Sequence, residues 1–322
     1  MESNPILVLT DPADVQLRMI EELRAKIDIV VGSSLEAFEG VAADATVVLN
    51  WSGSLSLFSE VFRSCPNVRW VHTRSAGVEG TLSPELIESA VILTNGTGVF
   101  STSLGEFALA AILYFAKGLR RMINNQTAGV WEPFEVTPIV GHTLGIVGYG
   151  DIGRAVASRA RSMGMRVLAI KRHVRLYNAD PIVEHMYSPD RRIEMLSRCD
   201  YVVAAAPLTS ETRGMIGEPE FHAMKPNSVV INVGRGSVIN EEALIKALST
   251  GRIKGAALDV FDHEPLAEGH PFYGLENVLL SPHCADHTPD WLDQAMQFFL
   301  AQFDRFRKGE PLLNVVDKKL GY

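Results

Sequence analysis

The chain has 322 residues, 47% of them hydrophobic and 21% charged, with a net charge of −8. That is length and composition for two ordinary globular domains with real cores, and the acidic balance speaks against a nucleic-acid binder, which normally shows a basic face. No apolar run approaches the roughly 18–20 residues of a membrane span, and Met1–Asp14 has no cationic stretch followed by an apolar one, so neither a membrane anchor nor a signal peptide is expected.

The three cysteines, Cys65, Cys199 and Cys284, are widely separated. Their odd number fits a reducing compartment without disulfides, and a cytoplasmic location is expected. Cys284 lies beside His283, with His287 four residues on. Metal sites draw three or four ligands, and Pro282 and Pro289 argue against a shared helix face, so no metal is expected.

No repeat and no low-complexity tract interrupts the chain, and short apolar runs alternate with helical stretches throughout. That alternation predicts an α/β protein with parallel sheets. In the first hundred residues, strands are expected at Ile6–Thr10, Ile27–Val31, Thr46–Asn50, Arg69–Thr73 and Val91–Asn95. Ser101–Met122 reads as one long helix. Its apolar positions, including Leu104, Phe107, Ala108, Ala111, Leu113 and Phe115, cover much of its circumference, which predicts burial between layers or subunits. A second unit begins near Gly141, with strands expected at Leu144–Val147, Arg166–Ile170, Tyr201–Ala205, Val229–Asn232, Gly255–Asp259 and Val278–Ser281. Six strands with intervening helices fit a dinucleotide-binding sheet. The helix expected at Trp291–Arg307, rich in phenylalanine, returns to the first domain. The expected architecture is two Rossmann-like, doubly wound parallel-sheet domains with the active site in the cleft between them. Residues 1–99 with 288–322 form the substrate-binding domain, and residues 100–287 bind the dinucleotide.

Gly148-Tyr149-Gly150-Asp151-Ile152-Gly153 is a GxGxxG. Alone it is weak evidence, but it follows the strand Leu144–Val147, opens a helix running to Ser162, and is followed by another strand. Gly148 permits the tight turn, Gly150 lets the backbone approach a pyrophosphate, and Gly153 allows close helix packing. The amides of Asp151, Ile152 and Gly153 then face the phosphates at a helix N-terminus. An NAD-specific fold places Asp or Glu at the end of the next strand to hold the ribose 2′-hydroxyl. Here that end reads Lys171-Arg172-His173, with Arg175 close behind. Cations there pair with a 2′-phosphate, so NADP(H) is expected, with NAD possible but less favoured.

Three polar residues follow strand ends in the second unit, where ligands of open α/β sheets bind. Arg235 follows Val229–Asn232, Glu264 follows the strand ending at Asp259, and His283 follows Val278–Ser281. A histidine can give a proton to the alkoxide that forms when a keto group is reduced. Glu264 is its candidate partner, and the planar fork of Arg235 suits a carboxylate or carbonyl.

These residues and their surroundings resemble the D-isomer-specific 2-hydroxyacid dehydrogenases. The matching segments are HTRSAGVEG (72–80), HTLGIVGYGDIG (142–153), PLTSETRGMIG (207–217), INVGRGSVINEEAL (231–244), ALDVFDHEPL (257–266) and SPHCA (281–285), in the family's order. The resemblance implies a bilobal fold, a homodimer, a small 2-keto or 2-hydroxy acid as substrate, and a catalytic triad at Arg235, Glu264 and His283. It implies that the amides of Ala76 and Gly77 grip the substrate carboxylate, which suits a Gly-containing turn that exposes adjacent N–H groups. It places Trp51 on the substrate-domain loop that shapes the pocket in the glyoxylate/hydroxypyruvate reductase branch, where Trp51 and the Phe100 region either restrict the pocket to small substrates or stack on an aromatic one. Pro207, Thr212, Val233, Gly234, Arg235, Asp259, His283 and Ala285 fall at cofactor-contacting positions, and the segment from Ser101 to Trp131 at the dimer interface. Lys171 departs from the usual Asp, and Cys284, Asp286 and His287 depart from the commoner apolar, Gly and small residues. The function implied is NADPH-dependent reduction of small 2-keto acids of the glyoxylate/hydroxypyruvate type to D-2-hydroxy acids. The alternatives are a reductase of a bulkier 2-keto acid and a cofactor-sensing interaction protein of the corepressor type.

Overall fold

A computed structural model describes residues 4–25, 27–173 and 180–322; Arg175 lies outside them. The chain divides into two compact units, Met1–Phe100 with Thr288–Tyr322, and Ser101–His287.

The first unit holds a five-stranded parallel sheet of β1 (Ile6–Leu9), β2 (Ile29–Gly32), β3 (Val47–Asn50), β4 (Trp70–Thr73) and β5 (Ile92–Thr94), ordered β2-β1-β3-β4-β5. All residues of β1, β3 and β4 are buried, as expected for parallel strands covered on both faces. Successive side chains alternate between the faces. Leu7, Leu9, Val48 and Val71 meet Phe58 and Val61 of the helix Leu55–Arg63. Ile6, Val8 and Trp70 meet Met296, Phe299 and Phe303 of the helix Trp291–Lys308. Trp70 stacks on Phe299 with ring centroids 5.5 Å apart, which ties a distant chain segment to this sheet.

The second unit holds a seven-stranded parallel sheet: β6 (Thr143–Val147), β7 (Arg166–Ile170), β8 (His185–Tyr187), β9 (Tyr201–Ala204), β10 (Val229–Asn232), β11 (Gly255–Leu258) and β12 (Val278–Leu280), ordered β12-β11-β10-β9-β6-β7-β8. One strand more is present than the sequence pattern indicates. β8 is three residues long and pairs with β7, Ile170 opposite Tyr187. The strand order reverses at β6, which is flanked by β9 and β7. A topological switch point of this kind leaves a crevice at the carboxyl ends of the strands.

The expected long helix Ser101–Met122 is two helices, Ser101–Lys117 and Leu119–Ala128. Gly118 separates them with φ 62°, ψ 40°, a left-handed conformation that only glycine adopts at low cost. Leu104, Ala108, Ala111 and Ile112 of the first helix are buried. Among the described residues, no helix is long and apolar enough to cross a membrane.

Candidate active site

The dinucleotide loop is built as its residues require. Gly148 has φ 99°, and a Cβ there would lie 2.5 Å from the Ala206 amide nitrogen. At Gly153 a Cβ would lie 2.5 Å from the Gly148 carbonyl oxygen, so the helix Asp151–Ser162 can sit against the turn only with glycine. Gly150, by contrast, is exposed with open space around it, which leaves its backbone approachable by a phosphate. The Asp151 carboxylate accepts from the Ser101 hydroxyl, which holds that side chain at the helix start. The amides of Asp151, Ile152 and Gly153 have no acceptor within their own helix and suit an anion. The loop and helix therefore fit the diphosphate of a nicotinamide dinucleotide.

The adenosine end is more crowded with charge than the sequence suggests. Lys171, whose amide extends the ladder to the Tyr187 carbonyl (3.1 Å), lines a cavity of about 750 Å³ beside Tyr149, Gly150 and Arg154. Asp180 and Glu184 line it too, so carboxylates reach the region although none follows β7 directly in sequence. Asp180 accepts from the Tyr149 hydroxyl (3.0 Å), the Arg154 guanidinium (2.9 Å) and the Ile182 amide (3.1 Å). Burial pushes its carboxyl up, but these three donors together hold it below the ordinary value. Arg172 pairs with Glu211, and His173 is exposed. Pro207 accepts from the Thr212 hydroxyl through its carbonyl (2.6 Å), which shapes the loop after β9.

The loops after β10, β11 and β12 lie side by side because those strands are neighbours. Val233 continues from β10, buried, with its amide on the Ala204 carbonyl (3.0 Å). Asn232 then shapes the turn, accepting from the Gly234 amide (3.1 Å) and donating to the Arg235 carbonyl (3.1 Å). A Cβ on Gly236 would fall 1.8 Å from the Phe261 carbonyl carbon, so the two loops touch backbone to backbone. Arg235 donates to the Gly234 carbonyl (2.8 Å). On the next loop, Glu264 accepts from the Phe261 amide (2.9 Å) with one oxygen and contacts His283 Nδ1 (2.6 Å) with the other. A proton on Nδ1 donated to Glu264 leaves Nε2 as the ring nitrogen available to a second partner.

His283 itself stands at φ 51°, in the left-handed region that non-glycine residues enter at a cost. Asp259, almost wholly buried, holds the segment there. Its Oδ1 accepts from the Ser281 hydroxyl (2.5 Å), the Cys284 amide (3.0 Å) and the Ala285 amide (3.1 Å). The Ala285 carbonyl is tied in turn to the Ser103 hydroxyl (2.5 Å). Three of the residues singled out from sequence thus form one device, in which Asp259 holds the turn and Glu264 holds the ring of His283. Asp286 lies beside them, its carboxyl raised by burial.

In the first unit, the Ser75 carbonyl accepts from the Gly96 amide (2.9 Å) and the Ala76 carbonyl from Asn95 Nδ2 (2.7 Å). The amides of Ala76 and Gly77 have no protein partner among the described residues, so a carboxylate can take both. Trp51 is fully buried in the core beside Trp70, and its Nε1 donates to Asp14 (2.9 Å). A strand end that feeds directly into the core leaves its large ring no route to solvent. Its outlet is Arg74, whose guanidinium lies over the Trp51 ring at 5.5 Å and the Trp291 ring at 5.6 Å. Phe100 meets Trp291 edge-on at 6.0 Å.

Sequence reasoning missed four residues here. Arg74 and Glu211 sit inside the quoted motifs but carry no spacing signal of their own. Asn232, polar at the end of an apolar strand, was visible as an anomaly. Asp180 owes its place to chain folding and has no local signature.

Residues 109–285 match the family described as D-isomer specific 2-hydroxyacid dehydrogenase, NAD binding domain. The glyoxylate reductase of Thermococcus gammatolerans is 34% identical over 270 residues, 81% of this chain and 80% of that protein. An NADPH-dependent glyoxylate/hydroxypyruvate reductase from Sinorhizobium meliloti, solved with NADP and sulfate, superimposes with a TM-score of 0.85 at 25% identity, over 99% of this chain and all of that one. A D-isomer specific 2-hydroxyacid dehydrogenase from Xanthobacter autotrophicus, solved with NADPH and MES, gives 0.84 at 27% identity, over 99% of this chain and 100% of that one. A dinucleotide loop at a switch point, a carboxylate-held histidine beyond neighbouring strand ends and these likenesses agree: the chain belongs to the D-isomer-specific 2-hydroxyacid dehydrogenase family.

Proposed function

We propose that the protein is an NADPH-dependent reductase of small 2-keto acids of the glyoxylate/hydroxypyruvate kind, forming D-2-hydroxy acids. The observation that carries this reading is the Glu264–His283 pair at 2.6 Å, held on neighbouring strand ends of the sheet that carries the dinucleotide loop. A bound reduced nicotinamide supplies the hydride. The substrate carboxylate lies on the amides of Ala76 and Gly77, and Arg235 orients the carboxylate and carbonyl oxygens. His283 Nε2 gives its proton to the carbonyl oxygen as that oxygen gains charge, so hydride and proton together convert C=O to CH–OH. Glu264 keeps the imidazolium oriented and compensated.

The 2′-phosphate preference rests on Lys171 at the cavity edge, Arg172 beside it, and the absence of a carboxylate directly after β7. Asp180, an acidic side chain lining the same cavity as Lys171, is already engaged by three donors. The S. meliloti relative is an NADP-binding enzyme of this type. The protein works as a homodimer in this reading, because Trp131 is 97% exposed and Met122, Ile123 and Val130 beside it are exposed too, an apolar surface that calls for a partner.

Steady-state reduction of glyoxylate, hydroxypyruvate, pyruvate and phenylpyruvate, each with NADPH and NADH, tests it. The expected result is turnover of glyoxylate and hydroxypyruvate above the other two, with kcat/KM at least about tenfold higher for NADPH, or about 1.4 kcal/mol. Equal use of NADH overturns the cofactor assignment; turnover of phenylpyruvate above the others overturns the substrate class.

A further inference from the structure

Arg172 follows β7, and Glu211 lies on the loop after β9. β7 and β9 are the two neighbours of β6, and the carboxyl end of β6 opens the loop Gly148–Gly153. An ion pair between Arg172 and Glu211 therefore crosses the sheet edge along which the nucleotide must lie. The pair is asymmetric. The Arg172 side chain is 23% exposed and that of Glu211 67%, so the guanidinium has shed most of its water and the carboxylate has kept it. Releasing Glu211 to solvent is cheap, whereas a guanidinium that has shed most of its water gains from any anion that takes the carboxylate's place.

The placement of Glu211 is built into its loop. The Thr209 amide donates to the Thr212 hydroxyl (2.8 Å), the Thr212 amide to the Thr209 hydroxyl (3.3 Å), and the Thr212 hydroxyl to the Pro207 carbonyl (2.6 Å). This lattice fixes the turn from which Glu211 reaches across. Asp180 makes the contrast: its side chain is 18% exposed and three donors hold it, so it is not readily displaced.

We propose that Glu211 is an internal stand-in for the 2′-phosphate. It covers Arg172 in the cofactor-free protein and yields it when a 2′-phosphorylated nucleotide arrives. Glu211 thereby sets how strongly the protein discriminates between 2′-phosphorylated and plain dinucleotides. This rests on the reading that the cofactor is NADP(H). Displacement costs affinity only where a phosphate competes for Arg172. Because ion pairs with an exposed member contribute little, the effect is modest.

Calorimetric titration with adenosine 2′,5′-bisphosphate and with 5′-AMP, on the wild type, E211Q, R172Q and the double variant, tests this without turnover. In E211Q the bisphosphate is expected to bind about twofold to fivefold more tightly, with 5′-AMP unchanged. The gain should vanish in the R172Q background, since the two residues act as one unit. Equal tightening of both nucleotides would show a general charge effect, and weakening of both would show that the pair clasps the bound nucleotide. A gain that persists without Arg172, or no change at all, likewise overturns the proposal. A wild type that binds the bisphosphate no better than 5′-AMP means that the NADP reading itself has failed. A wild type that prefers it, with E211Q silent, sinks only the role of Glu211.

Discussion

His283 is the residue on which most of the local structure is spent. Its left-handed backbone costs about 1–2 kcal/mol, and three hydrogen bonds to Asp259 Oδ1 hold the turn in which it stands. Strain kept in place by buried partners fits the proton donor proposed for this position. Replacing His283 with Ala should lower kcat by about a hundredfold to ten-thousandfold while NADPH binding, followed by fluorescence titration, stays nearly unchanged. Glu264→Gln keeps the shape but offers an amide N–H where Nδ1 needs an acceptor, and kcat should fall by about a hundredfold or more. Retention of full activity in either variant excludes the proposed proton donor. His283 and Glu264 were legible because each follows a strand and a proline marks the turn beside it. The part played by Asp259 was not, since its three partners come from a loop more than twenty residues away. The burial of the Trp51 ring was not legible, because sequence gives its position on a loop but not the direction of its ring.

At the scale of elements, most strands of both sheets were legible to within one or two residues, since buried parallel strands read as unbroken apolar runs. β8 escaped because His185-Met186-Tyr187 is short and half polar. The break at Gly118 escaped because good helix formers surround it. There, a Cβ would come within 2.9 Å of the Phe134 ring and the backbone has positive φ, so Gly118→Ala should destabilise the fold by about 1–2 kcal/mol. A melting temperature equal to the wild type's would show that the two helices can merge.

The sheet of the first unit carries its own pH response. His72 on β4 is wholly buried beside Phe298 and Phe299, with Nδ1 2.7 Å from the Thr94 hydroxyl. Burial pushes its ring down to about 3, against about 6.5 in the unfolded chain. Between these values the unfolded state takes up a proton that the folded state refuses. Stability from this group is therefore complete above about pH 6.5 and is lost as pH falls toward 3, by at most about 1.4 kcal/mol per pH unit. Unfolding of His72→Gln between pH 7 and pH 4.5 should show a shallower loss than the wild type; an identical slope would place the acid response elsewhere.

At the scale of the whole molecule, the repeated strand–helix alternation made two parallel-sheet units legible. Association was legible only as what the resemblance implies, a dimer interface on the segment from Ser101 to Trp131, and the exposure of Trp131 is what the proposed homodimer rests on. Sedimentation velocity should give a dimer at micromolar concentration, and Trp131→Ser should shift it toward monomer; a monomeric wild type rules out the homodimer.

The core contact between Trp70 and the helix Trp291–Lys308 also bears on how the protein is made. Phe299 and Phe303, which cover Trp70, are encoded about 200 residues beyond Phe100, where the first stretch of that unit stops. At roughly 5–20 residues per second, a ribosome takes about 10–40 seconds to cross that gap. Throughout that interval the early sheet waits with Ile6, Val8 and Trp70 uncovered, while the continuous segment Ser101–His287 emerges whole and is free to fold. The half of the protein translated first is thus finished last, and its nascent form is the one that most needs a chaperone's cover.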